Sequence, residues 1–277
     1  MNKKIARVAI VAAVVLAIIA ALFGVKKYLY SRKPLELMFD AAYYFSEEAS
    51  KSGIWSYEKS YSGHQYYLYL PPQYREDNDN VEAKLPLIVV FHGSDEKGQA
   101  FKYGRIFTSQ DFQEKIYPKG AAVLLMFSRV NYFTDPHGTS LLIQNVCLKN
   151  KCIDKENIIA YGFSQGAKFA AELACAQPRL LKAVVSGSGF YQMSFWEILR
   201  VLPIRFYWAN SEDDKGIFEQ GMPTGRRVAR FCKDSRYVQY QTRHHFYVEL
   251  KDKTGLRDKG GGEETFMDWL CEAVNCK

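Results

Sequence analysis

Gly162-Phe163-Ser164-Gln165-Gly166 is the stretch of this chain best suited to covalent chemistry. The pattern Gly-x-Ser-x-Gly, after the apolar run Ile158-Ile159-Ala160-Tyr161 and before an alanine-rich segment, reads as strand, sharp turn and helix. Glycines flank the serine because a Cβ at either position would strike the neighbouring strand or helix. The turn forces the serine into a strained backbone conformation and lifts its hydroxyl clear, above a helix N-terminus. A serine hydroxyl is a poor nucleophile at neutral pH. It needs a base in contact, normally histidine, itself oriented by a carboxylate.

The order serine, acid, histidine along the chain prunes the candidates. Of the five histidines, only His244 and His245 follow Ser164, and both follow an expected strand. The acid belongs at the C-terminal end of a strand, where Asn210-Ser211-Glu212-Asp213-Asp214 succeeds the run 204–209. Asp213 is the first choice, Asp214 the second and Glu212 the least suited. His244 is preferred as base because an aromatic, Phe246, follows it by two residues; His245 stays open as the alternative. A developing oxyanion needs two backbone N–H donors. Gln165, after the nucleophile, supplies one, and Ser94, in the His92-Gly93-Ser94 turn, supplies the other. His92 is expected to orient that turn and not to act as base.

These groups require a frame. Residues 55–61 and 64–70 read as an antiparallel hairpin, and the unbroken apolar run 85–91 as a strand buried on both faces. Alternation follows: helix 98–116, strand 121–127, helix 139–150, strand 157–164, helix 165–177, strands 183–186 and 204–209, helix 218–232, strand 237–242, helix 263–274. A hairpin followed by βα units predicts an α/β fold, a mostly parallel twisted sheet with helices on both faces. The loop 129–140, with Asp135 and His137, and the aromatic segment 189–202 are expected to line a cleft or to pack on the core.

The chain has 277 residues, 48% of them hydrophobic and 24% charged, enough for one large domain with a buried core. The net charge of +7 is partly terminal, and no basic stripe interleaves with aromatics, so nucleic-acid binding is not expected. Six cysteines include no C-x-x-C pair; a bridge between Cys147 and Cys152 would close a small loop, and buried thiols are the other reading. Lys3, Lys4 and Arg7 precede the apolar run 8–25, with Lys26 and Lys27 next. This predicts a signal-anchor or transmembrane segment over 1–33, inserted through residues 5–25, a connecting helix over 34–53 and the catalytic domain over 54–277. It places that domain outside the cytoplasm, periplasmic or extracellular, with a cleaved, secreted form as the alternative.

The pieces 67–74, 85–93 and 153–166 resemble the α/β-hydrolase superfamily, in particular its polyhydroxybutyrate-depolymerase-like, feruloyl-esterase-like and esterase-D-like serine esterases. The elbow is also similar to that of acyl-protein thioesterases and carboxylesterases. The resemblance covers residues 60–275 in order. It implies serine-dependent hydrolysis of an ester or thioester, small or polymer-derived, through an acyl-enzyme and without metal or organic cofactor. For this the residues offer a Ser164–His244–Asp213 triad, with His245 and Asp214 as alternatives. The sequence departs from the pattern at Ala167, at Asn210 where the acid loop usually has glycine, and in lacking a glycine before the histidines. A thioesterase or peptidase on the same fold is the nearest alternative. A non-catalytic binding protein is the alternative from another class.

Overall fold

The runs 85–91 and 122–127, which hold no polar residue, form neighbouring strands inside the sheet, because only a strand covered on both faces can bury such a run. In the computed structural model, residues 55–59, 65–77, 79–94, 99–116, 120–128, 133–252 and 264–274 are described. They belong to one unit, Asp40–Lys277. The predicted anchor (1–33) and connecting helix (34–53) lie outside the described residues. Among those described, no helix is long and apolar enough to cross a membrane.

The strands are β1 (Trp55–Lys59), β2 (Gln65–Tyr69), β3 (Leu85–Phe91), β4 (Ala122–Phe127), β5 (Ile153–Phe163), β6 (Ala183–Gly187), β7 (Arg205–Ser211) and β8 (Arg236–Tyr240). They form one eight-stranded sheet in the order β1-β2-β4-β3-β5-β6-β7-β8. β1 and β2 pair antiparallel, as do β2 and β4. Every other pairing is parallel. The chain reverses direction across the sheet at β3, with β4 on one side and β5 on the other. Such a switch point is where an open α/β sheet presents its ligand crevice, beyond the strand C-termini.

β3 contains Pro86, which has no N–H to give a central ladder. The register between β3 and β5 shifts between Leu85 and Leu87, so the proline sits at an irregularity and the ladder resumes at Leu87–Ile158. Alternation along β5 sorts its side chains between two layers. Ile158 and Ala160 join a core with α3 (Pro136–Lys149), α4 (Gln165–Ala176), α5 (Phe195–Arg200) and α6 (Lys215–Phe231). On the opposite face Tyr161 packs on Phe107 of α1 (Ala100–Thr108) and Phe266 of α7 (Phe266–Val274).

The single helix expected over 98–116 is two, α1 and α2 (Gln110–Ile116). Ser109 between them is extended (φ −62°, ψ 145°), and its hydroxyl accepts from Phe112 N at 3.4 Å. A serine hydroxyl competes with the helix ladder in this way and restarts it as a cap. α3 begins three residues earlier than expected, because Asp135 caps it through Gly138 N (2.8 Å) and Pro136 fits the first turn. Asp135 and His137, expected in a cleft loop, therefore belong to a helix start. No Cys147–Cys152 bridge exists: Cys147, Cys152, Cys175 and Cys232 are buried free thiols. Burial pushes Cys147, Cys175 and Cys232 up to about 12 and Cys152 to about 11, which leaves them protonated and unreactive at neutral pH.

Candidate active site

The turn between β5 and α4 holds Ser164 at φ 53°, ψ −117°, a region that side chains rarely occupy. Three contacts force it there. Ser164 N donates to Gly187 O at 2.8 Å, so the turn is pinned to the end of β6. A Cβ on Gly162 would come within 2.3 Å of Gly166 O and 2.5 Å of the Ala167 backbone. A Cβ on Gly166 would meet Phe91 O at 2.3 Å and His92 O at 2.4 Å. Both glycines are thus required by close backbone approach, and the second seats the N-terminus of α4 directly against the end of β3. Ala167, a departure from the family pattern, is fully buried in this contact.

That seating brings the two expected oxyanion donors into one neighbourhood. Gln165 is the first residue of α4, where backbone N–H groups have no partner within the helix. Its side chain is buried and clamped: Oε1 accepts from Phe133 N (3.1 Å) and Nε2 donates to Phe133 O (3.2 Å). Ser94 lies exposed in the turn after β3, and residues 95–98 lie outside the described residues. His92, fully buried, holds that turn. Its Nε2 accepts from Ser128 N at 3.2 Å, which leaves Nδ1 to carry the proton and donate to Gly93 O at 2.6 Å. With both nitrogens so engaged, His92 is a strut for the loop.

The acid and base candidates fall at the ends of β7 and β8, and the fold sorts them into two pairs. Asp213 Oδ1 accepts from Ser211 Oγ (2.6 Å) and from His244 N (2.9 Å). His244 Nδ1 stands 2.7 Å from Asp213 Oδ2, but out of hydrogen-bond alignment, so Oδ2 has no hydrogen-bond donor. The Ser211 hydroxyl, opposed by desolvation and aided by the N–H and ring of His244, holds the Asp213 carboxyl below its ordinary range. Asp214 makes the second pair: its Oδ2 lies 2.6 Å from His245 Nδ1 in an aligned hydrogen bond. Asp214 occupies the N-cap of α6, yet its carboxylate does not cap the helix and turns instead to the imidazole.

The two rings differ in setting. The His244 side chain is 85% exposed and that of His245 39%. His245 packs on Phe163, the residue before the nucleophile, with ring centroids 4.9 Å apart. Among the described residues Ser164 Oγ has no hydrogen bond to either imidazole.

Residues that sequence reasoning passed over hold this rim together. Ser211 Oγ, besides donating to Asp213, accepts from Arg243 N at 2.9 Å and so couples the acid loop to the histidine loop. A serine two residues before an aspartate is a local turn pattern, and it was legible. Ser188 (φ 49°) donates through Oγ to Phe246 O (3.0 Å) and accepts from Phe246 N (2.9 Å), tying the histidine loop to the end of β6. Nothing in sequence spacing connects these two residues. Asn210, where the acid loop of the proteins it resembles usually has glycine, is wholly buried: Trp208 Nε1 donates to its Oδ1 (2.8 Å) and its Nδ2 donates to Gly189 O (2.9 Å). The departure is a brace between β7 and the turn after β6.

A cleft of about 390 Å³ bounded by Thr134, Glu172, Cys175, Tyr191 and Arg200 is not the nucleophile's pocket. Cys175 lies roughly 16 Å down α4 from Ser164 at the rise of an α-helix. Among the described residues no group of three or more His, Cys, Asp or Glu side chains could hold a metal ion.

The strand order, the strained serine on a β5–α4 turn, and the acid and histidine after β7 and β8 agree with one fold. The chain has the α/β-hydrolase fold. A sequence profile described as phospholipase/carboxylesterase matches residues 139–196, the segment that carries the elbow. A search of curated proteins returns no significant match. Among solved structures, a thermostable esterase is similar at 18% identity and TM-score 0.54, over 79% of this chain but only 59% of its own length. The feruloyl esterase module from Clostridium thermocellum, complexed with sinapinate, is similar at 11% identity and TM-score 0.52, over 70% of this chain and 81% of that one. FphF, a fluorophosphonate-binding serine hydrolase of Staphylococcus aureus, is similar at 11% identity and TM-score 0.52, over 70% and 92%. At such identities these likenesses speak for the fold alone.

Proposed function

We propose that the protein is a serine-dependent carboxylic ester hydrolase working through an acyl-enzyme. The observation that carries this reading is Ser164, held in a strained conformation at the N-terminus of α4 with histidine–carboxylate pairs on the adjoining rim. The carboxylesterase profile over the elbow supports it.

In this reading Ser164 Oγ attacks the ester carbonyl while His244 takes its proton. The C–O bond to the alcohol breaks as His244 returns that proton to the leaving oxygen. Water then repeats the sequence on the acyl-enzyme, releasing the acid. Asp213 stabilises the imidazolium: its lowered pKa keeps it ionised, and it grips His244 through the backbone N–H as well as facing the ring. The N–H groups of Gln165 and Ser94 receive the oxyanion. The exposed His244 ring swings to Ser164 as substrate binds, because apo geometry in such sites is often open.

The aligned His245–Asp214 bond and the seat of His245 on Phe163 favour a second reading, in which that pair is the base and acid. Fluorophosphonate labelling and hydrolysis of short p-nitrophenyl esters by Ser164→Ala, His244→Ala and His245→Ala test both. Unchanged hydrolysis by Ser164→Ala sinks the esterase reading, and retention of activity by His244→Ala with loss in His245→Ala transfers the role to the second pair. The same proposal places the domain outside the cytoplasm, anchored through residues 5–25, on the strength of the apolar run 8–25 and its basic flanks. Protease protection in intact cells, with the domain protected only in the cytoplasmic orientation, checks it.

A further inference from the structure

We infer that the face formed by α5 and the end of α6 docks on an anionic phospholipid surface. α5 and the residues flanking it bury Met193, Ile198 and Val201 in the core but leave Phe195, Trp196, Leu199 and Leu202 exposed. Trp196 is 73% exposed and Phe195 63%, with their rings 5.5 Å apart. A folded monomer rarely leaves so much clustered apolar surface in water without a use for it. The patch continues onto α6, because Lys233 N donates to Leu202 O at 3.0 Å, which places exposed Phe231 beside it.

Charge selects the occupant. Arg200, Arg230 and Lys233 are exposed around these apolar groups and make no close ion pair among the described residues, Arg200 acting on Glu197 only at longer range. The Arg230 guanidinium lies over the Phe231 ring at 5.2 Å. The acidic groups nearby are spent: Glu197 closes the capping box of α5 and accepts from Tyr191, and Asp234 pairs with Arg205 at 2.9 Å. Aromatic and leucine side chains rimmed by uncommitted cations are what an interfacial, negatively charged bilayer surface takes up. A second copy of the face would set like charges against each other.

Leu202 and Lys233 each precede the first residue of a parallel strand, β7 and β8, by three positions. The lower part of the face therefore lies toward the strand N-termini, the end of the sheet opposite Ser164, and docking there leaves the elbow open. The inference rests on the fold and not on the esterase reading, so it stands or falls independently of Ser164 chemistry.

The full-length protein, reconstituted into vesicles with brominated acyl chains, tests it. Of the four tryptophans, Trp208 and Trp269 are fully buried and Trp55 is half-buried on β1 at one edge of the sheet. Trp196 is the most exposed, so the difference between the parent and Trp196→Phe isolates its emission. In phosphatidylglycerol vesicles the parent shows a quenched component that Trp196→Phe lacks, and that the triple variant Arg200→Glu, Arg230→Glu, Lys233→Glu loses with an unchanged near-ultraviolet dichroism spectrum. The component shrinks in phosphatidylcholine vesicles and at high salt. Equal quenching of parent and Trp196→Phe, or quenching indifferent to lipid charge, overturns the inference. Self-association in detergent that Trp196→Phe abolishes also overturns it, because the patch then belongs to a second copy.

Discussion

The elbow and the rim of the candidate site are built on opposite principles. At the elbow the backbone itself is the fit: two missing Cβ atoms let β5, α4 and β3 approach within van der Waals distance, and Ser164 has one available conformation. At the rim, position is held by side-chain hydrogen bonds among half-exposed loops, and two histidine–carboxylate pairs coexist one residue apart in each loop. The lesson is that nucleophile geometry is bound up with the stability of the sheet, whereas the base is set by bonds individually worth about 1 kcal/mol. A loop of that kind can move during a catalytic cycle, and an elbow of the other kind cannot.

Five substitutions sharpen or break this contrast. Ser164→Ala leaves the fold unaltered and removes catalysis, with kcat for p-nitrophenyl acetate falling about ten-thousand-fold and fluorophosphonate labelling lost. A small change in turnover would mean that the elbow is scaffolding and nothing more. His244→Ala comes next, lowering kcat/KM about a thousand-fold, while His245→Ala changes it by only a few-fold; side-by-side steady-state kinetics read the ratio, and its inversion reassigns the base. Gly166→Ala separates the regions by stability instead: its Cβ meets backbone that cannot yield, and urea unfolding records a loss of about 3 kcal/mol or failure to fold. Substituting His245, at the rim, costs within about 0.5 kcal/mol by the same measurement.

Ser211→Ala has the smallest expected effect and a defined sign. Asp213 has a depressed pKa in the folded protein, so its contribution to stability is present above the unfolded value of about 3.9 and is lost as pH falls through the folded value. Removing the Ser211 hydroxyl, the largest cause of the depression, raises the folded value toward the unfolded one. The acid unfolding midpoint then moves upward, and the neutral-pH melting temperature shifts little. An acid midpoint unchanged from the parent would show that Ser211 does not hold Asp213 down.

Local pattern carried most of the α/β reading. The apolar run of β3, the hairpin β1–β2 and the βα alternation were legible because burial on two faces, on one face, and along a helical stripe leave different periodicities. Boundaries failed where one side chain arbitrates: Ser109 divides a helix that periodicity would continue, and Asp135 with Pro136 starts α3 inside what reads as loop. The bridge considered between Cys147 and Cys152 failed for another reason. Cys147 is on α3 and Cys152 sits before β5, each buried with its thiol protonated, and closeness in sequence says nothing about the geometry a disulfide needs.

By itself, then, the sequence determined the parts whose physics is local: a glycine-flanked serine between strand and helix, a buried central sheet, and a short list of carboxylates and histidines in workable order. Only tertiary structure decided which carboxylate meets which histidine. Asp213 and Asp214 are adjacent, as are His244 and His245, and no local preference distinguishes them. The separation arises because Ser211 holds one carboxylate against the backbone of His244, the turn into α6 aims the other at His245, and Ser188 anchors the loop behind both. Apart from the local Ser211–Asp213 bond, those bonds join residues about thirty to sixty apart, and such couplings exist only once the sheet has formed.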